Sequence, residues 1–367
     1  MPKQFKLCYQ IAIIVLAALT AMLMGAVVLM VIGADVLRAY TVILTEPLKN
    51  LSLIAEVMLR AIPLTIIALG ISVAYRSGII NIGAEGQMAM GILAATATAL
   101  FLPDLPRPVL LPLVLVAGCV GGGLWGLAPG VLKAKLEVSE LLSTVMFNYI
   151  AAQLYTFCIR GPLLDPAELT QGSGTPQSMR LTRSIWLDRI IVGTRLHTGV
   201  FIVLVLAVAV FLLLWKTAFG YKMRAAGAQD RAARYGGINV AKYMVISIGI
   251  SGALAGLAGA VEIAGVHHRA IEGITGGYGF SGIVVALFGG LHPAGIIPAA
   301  FFFGLLIVGA DMTQRMVGVP ANMVQVLQGI IILVIVAAKM IIANPYLMER
   351  CWRWYQSITG KRKEALV

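Results

Sequence analysis

Long apolar runs alternate with short polar segments along this chain, and the lengths of the runs set the architecture. Apolar stretches cover 10–33, 51–74, 109–132, 141–159, 197–215, 244–266, 294–310 and 323–343. Another opens among polar residues in the eighties and ends near Phe101, and a shorter piece precedes His292. A helix crossing a bilayer takes about 20 mostly apolar residues. The pattern therefore predicts an all-α, polytopic transmembrane bundle of about ten spans, an even number that leaves both ends on one side. The stretch 11–32 follows Lys3 and Lys6 as a signal peptide would, yet it is long for one and no A-x-A site closes it, so it is read as a retained first helix. Apolar content is spread over the whole length, which predicts one integral domain over 1–367, with a cytoplasmic loop at 216–242 and a cytoplasmic tail at 344–367.

The interruptions carry the chemistry. Tyr75 to Gly91 reads Y-R-S-G-I-I-N-I-G-A-E-G-Q-M-A-M-G, placing Asn81, Glu85 and Gln87 among Gly78, Gly83, Gly86 and Gly91. Polar groups at membrane depth must face a cavity or the bundle interior, and glycine lets a helix break there. The stretch is either a substrate-contact element or a solvated turn with small residues for packing. Asn148, beside Tyr149, could equally join helices or face a pathway. Glu56 and Arg60 lie four apart and are expected to pair near the outer surface. The glycines between Gly118 and Gly130 predict close helix contact. The polar segment 160–196 is expected to lie outside.

Segment 216–242 is dense in Lys and Arg, and its helix formers from Ala228 to Tyr235 sit between Gly227 and Gly236-Gly237. A two-turn helix fits, docked against something because so short a helix is marginal in water. A second glycine-rich stretch, Gly273 to Gly282, repeats the first at an offset of 204: Ser77-Gly78-Ile79 meets Ser281-Gly282-Ile283, and Gly91-Ile92 meets Gly295-Ile296. Paired broken helices in two halves, which could be inverted repeats, point to a substrate site between them.

Composition sharpens this picture. The chain is 59% hydrophobic and 12% charged with a formal net charge of +12, against about one-quarter charged residues in soluble domains. Because the basic residues cluster between apolar runs, the charge reads as a positive-inside signal and no nucleic-acid partner is expected. Cys8, Cys119, Cys158 and Cys351 share no metal or disulfide spacing. His267-His268 lacks a spaced acidic partner and no H-e-x-x-h pattern occurs, so neither metal nor enzymatic chemistry is expected. No phosphate-binding loop is present, the one Gly-Lys pair being Gly360-Lys361. A secondary transporter is the alternative, with Glu85, Glu262 and Asp311 as candidate coupling acids.

The runs Arg76 to Gln87, Leu142 to Ala151 and Ala226 to Ile238 resemble permease subunits of ABC importers. The similarity is to the simple-sugar and branched-chain amino-acid permease family, in its nucleoside-transporting branch. That resemblance implies a bacterial inner-membrane protein with cytoplasmic ends and a second permease subunit, identical or paralogous. It also implies ABC ATPase subunits that bind ATP in place of any cofactor here, and an extracytoplasmic binding protein or lipoprotein. It makes Ala228, Gln229, Asp230, Arg231, Ala232, Arg234, Tyr235 and Gly236 the helix that couples to the ATPase. For the pathway the candidates are Asn81, Glu85, Gln87 and Asn148, polar groups costly to place at membrane depth, whose amides and carboxylate could bind hydroxyls or ring nitrogens of a nucleoside or sugar.

Overall fold

The computed structural model describes residues 3–172, 174–320 and 344–358, with scattered positions between 323 and 342. The last span expected from sequence, 323–343, and the tail end, 359–367, lie largely outside the described residues. Among the described residues the regular structure is helical, and β structure is limited to three isolated bridges. Among the described residues, six helices are long and apolar enough to cross a membrane: 51–76, 107–136, 140–160, 199–216, 240–267 and 293–317.

The coordinates form two compact units, 1–47 with 309–367 and 48–308. In the first, α1 (Lys3–Val31) is followed by α2 (Val36–Thr45), in the stretch between the apolar runs 10–33 and 51–74. Asp35 explains the helix, because its carboxylate accepts the Arg38 N–H at 3.0 Å and caps the first turn. Ala17 and Ala21 of α1 pack with Val334 and Ala338.

The second unit holds α3 (Leu51–Arg76), α4 (Ala84–Phe101), α5 (Arg107–Leu136), α6 (Glu140–Arg160), α7 (Pro166–Gln171), α8 (Gly199–Lys216), α9 (Ala218–Ala228), α10 (Asp230–Tyr235), α11 (Val240–Glu262), α12 (Tyr278–Phe288) and the first part of α13 (Pro293–Val317). A single π turn, Ile263–His267, extends α11. Burial sorts these helices. Within α3 the unbroken run 62–74 is buried, as expected of a helix apolar on all sides. By contrast, less than a third of the most apolar stretch of α5 and of α8 is covered, leaving broad apolar faces on the outside.

Small residues set the helix spacing. Gly118, Gly122, Gly126 and Gly130 recur every fourth position along one face of α5, against Ile248, Gly252 and Gly256 of α11. A methyl group on Gly256 would stand 2.1 Å from the Gly118 carbonyl oxygen, and one on Gly91 of α4 would stand 2.2 Å from the Gly256 Cα. Three backbones therefore meet at Gly256 with no room for a side chain.

The segment 161–198 runs back over the end of α11. Ser178 donates its N–H to the Ala270 carbonyl, Leu181 to His268 and Leu187 to Ala264. His268 stacks on Trp186 at 3.9 Å, and His267 Nε2 lies 3.4 Å from Glu262 Oε1. The His197 ring fits between Gly199 and Gly265, where a methyl group would come within 2.6 Å of it. Burial lowers the His197 pKa to about 4, so the ring is neutral and its Nδ1 accepts the Gly199 N–H at 3.1 Å. Glu56 pairs with Arg60 at 3.7 Å, as the spacing predicted, and also with Arg195 at 2.7 Å.

Candidate functional site

The polar stretch after α3 is a break between two helices. Ser77 and Gly78 end α3, with Gly78 at φ +80° and the Ile79 N–H returning to the Ala74 carbonyl. The chain then runs extended and re-enters a helix at Ala84. The residue that starts α4 is Gly83, whose lack of a side chain leaves the first amides of the helix uncapped from within.

Side chains from elsewhere fill that gap. Asn148 of α6 accepts the Gly86 N–H at 2.9 Å through Oδ1 and donates Nδ2 to the Ile82 carbonyl at 2.9 Å. Asn81 and Gln87 form a reciprocal amide pair, with Asn81 Nδ2 to Gln87 Oε1 at 2.8 Å and Gln87 Nε2 to Asn81 Oδ1 at 3.1 Å. Asn81 Nδ2 also reaches Ser251 Oγ of α11 at 2.9 Å, and its Oδ1 accepts the Gly83 N–H at 2.9 Å. Both donor and both acceptor positions of the Asn81 amide are thus occupied. Asn81 and Gln87 are each 1% exposed.

Glu85 points the other way. Its Oε1 accepts the Gly277 N–H at 3.0 Å and its Oε2 the Gly279 N–H at 2.7 Å. Helix α12 begins there, and the residue at its start, Gly277, again has no side chain to cap it. A carboxylate on the positive end of α12 is favourable for charge as well as for hydrogen bonding. Gly279 permits the approach, since a methyl group there would stand 2.2 Å from the Glu85 nitrogen. Two helix starts with glycine in the capping position are therefore capped by residues of other helices, α4 by Asn148 and α12 by Glu85.

The four polar residues singled out from sequence do come together at one helix break. Sequence reasoning missed Ser251, one hydroxyl in the glycine- and alanine-rich α11, and the Gly277 and Gly279 amides. It also missed Tyr278, whose hydroxyl accepts from Arg60 Nη1 at 3.0 Å. Gly277, Tyr278 and Gly279 lie within the glycine-rich stretch 273–282 singled out from sequence, but nothing marked their individual roles, and Ser251 carries no signal beyond its residue type.

The segment expected to form a short docked helix divides at Gln229 into α9 and α10. Gln229 breaks the helix with φ −158° and ψ 102°, not Gly227 as the composition suggested. Gly227 lies inside α9 and serves close approach: a methyl group there would stand 2.3 Å from the Arg76 carbonyl oxygen and 2.5 Å from the Gly78 nitrogen. Ala233 of α10 is buried with Ala226 and Val240, which docks the short helix. Its other side is open, with Arg231, Ala232, Arg234 and Gly236 exposed and Tyr235 95% exposed. Asp230 and Arg234 pair along that face at 2.7 Å.

Comparison with known proteins gives a consistent picture. Residues 53–336 match the family model described as branched-chain amino acid transport system / permease component. The chain is 35% identical over 326 residues to a guanosine ABC transporter permease protein of Bacillus subtilis, covering 88% of this chain and 92% of the relative. It is 32% identical over 336 residues to a glucose ABC transporter permease protein of Haloferax volcanii, covering 89% and 87%. It is also 32% identical over 334 residues to a nucleoside ABC transporter permease protein of Lactococcus lactis, covering 89% and 90%. No solved structure matches.

Proposed function

Because this chain belongs to the ABC transporter permease family described as branched-chain amino acid transport system / permease component, a family of membrane subunits rather than enzymes, we propose that it conducts a nucleoside, or failing that a simple sugar, into a bacterial cell. The names of the guanosine, nucleoside and glucose relatives support this substrate class. In this reading the chain is one integral domain of about ten spans in the inner membrane, with both ends cytoplasmic. It pairs with a second permease subunit, identical or paralogous. An extracytoplasmic binding protein or lipoprotein delivers the solute, and separate ABC ATPases bind and hydrolyse the ATP.

One observation carries the mechanism. The α9–α10 segment touches the helix break directly, through the contact of Gly227 with the Arg76–Gly78 turn. The exposed face of α10, from Ala228 and Gln229 through Asp230, Arg231, Ala232, Arg234 and Tyr235 to Gly236, seats in the ATPase. Its movement tilts α9 and shifts the turn that leads to Asn81. The pathway runs beside the break, and Asn81, Glu85, Gln87 and Asn148 exchange their mutual hydrogen bonds for those of the passing solute. The broken pairs α3–α4 and α12–α13 are the repeated elements. Their matching turns are Ser77-Gly78-Ile79 and Gly289-Gly290-Leu291, each with a glycine at positive φ and the following N–H returned into the helix.

The test is reconstitution of the chain with its ATPase and binding protein. Ala232→Trp should leave the amount of folded protein unchanged and abolish solute-stimulated ATP hydrolysis; stimulation at the parent level would refute the coupling role. Competition among nucleosides, sugars and amino acids in the same vesicles decides the substrate class.

A further inference from the structure

At the end of the bundle that carries α9, two guanidinium groups flank one indole with no carboxylate between them. Arg76 Cζ lies 5.2 Å from the centre of the Trp215 ring and Arg224 Cζ 5.8 Å from it. Arg76 donates to the Gly290 and Leu291 carbonyls, where α12 ends, and makes no ion pair among the described residues. Arg224 makes none either, and its Nε is buried with no hydrogen-bond partner. His292 packs against Trp215 at 4.7 Å, and its Nδ1 accepts the Ala294 N–H, which leaves Nε2 to donate. All four side chains are half-buried.

The acidic residues that could neutralise this cluster are missing from the elements that build it. Helices α8 and α9 and the turn 289–292 contain no Asp or Glu, and the one carboxylate of α3, Glu56, is twenty positions from Arg76. A cluster of two guanidinium groups with no carboxylate partner, beside an aromatic face and an imidazole donor, is suited to an anion. Guanidinium matches the geometry of phosphate in particular. Tryptophan and arginine at the end of spanning helices are also where lipid headgroups lie.

We propose that Arg76, Arg224, Trp215 and His292 form a binding site for a phosphate group, that of an anionic lipid headgroup. Only the leaflet, the cytoplasmic one, rests on the orientation given above. The bound phosphate would join α3 to α9, relieve the repulsion between their arginines, and so steady the contact between the α9–α10 segment and the helix break.

The test needs neither ATPase nor solute, so it stands apart from any failure of the transport reading. Purified full-length chain in neutral detergent is titrated with short-chain phosphatidylglycerol or with inorganic phosphate, followed by Tm and by the lipid retained in native mass spectrometry. The expected result is a saturable rise in Tm and one retained phosphatidylglycerol, with apparent affinity reduced about tenfold or more by Arg224→Gln, the loss of one charge-assisted interaction. Arg224→Lys, which keeps the charge and serves where the first variant fails to fold, should retain most of the response. An equal response to inorganic phosphate upholds the anion site and assigns it to a soluble phosphate. No response to either, or one that persists in both Arg224→Gln and Arg76→Gln, overturns the proposal.

Discussion

The helix break around Asn81 and the α9–α10 segment are both polar interruptions rich in glycine, yet the fold treats them in opposite ways. At the break, amides meet amides inside the bundle, and Asn81 has every donor and acceptor in use. On α10 one residue, Ala233, is buried and the charged and aromatic side chains face outward. In the proposed function the break is a pathway whose polar groups hold one another until solute passes, whereas α10 is a surface kept open for a partner. A change in the first should appear in stability before it appears in transport, and a change in the second should do the reverse.

The largest stability effect is expected where the scaffold is tightest. Gly256→Leu would drive a side chain into the Gly118 and Gly122 backbones and should cost above about 4 kcal/mol, leaving no monodisperse protein after detergent extraction. Next comes Asn81→Leu, which strips partners from the Gln87 amide, the Ser251 hydroxyl and the Gly83 N–H. A loss of about 3 kcal/mol, measured as a fall in Tm, is expected. An unchanged Tm would show that the Asn81 network does not hold the break together, whatever happens to the transport KM. Glu85→Ala removes the cap of α12 and should cost about 1–2 kcal/mol, with faster amide exchange confined to 275–280. The smallest effect belongs to Tyr235→Ala, within about 0.5 kcal/mol of the parent, although solute-stimulated ATP hydrolysis should fall at least tenfold. If Tyr235→Ala destabilised as much as Asn81→Leu, the contrast between the two regions would fail.

Much of this fold could be read from the chain because lipid imposes a length on every span and forces glycine to mark close helix contact. The six spans and the α5 glycines followed from that constraint, and the Glu56–Arg60 pair from its spacing of four on one helical face. The short helix near Ala228 was legible too, since helix formers between glycines leave few options. What escaped were partnerships across sequence distance. Nothing local says that Ser251 completes the Asn81 network or that Glu85 caps a helix beginning at Tyr278. The role of Gly227 was misjudged for the same reason: its neighbours along the chain suggest a helix end, whereas its neighbours in space, Arg76 and Gly78, require a missing side chain. The offset of 204 paired residues by identity, but it sets a turn, Ser77-Gly78-Ile79, against the middle of α12.

The caps supplied from a distance to α4 and α12 also constrain how the bundle can open. A hydrogen bond weakens steeply once donor and acceptor drift beyond about 3.5 Å, so Asn148 and Glu85 either hold those helix ends or release them, with little between. A permease held by such latches is expected to switch between two settings, because an intermediate one would leave buried amides without partners.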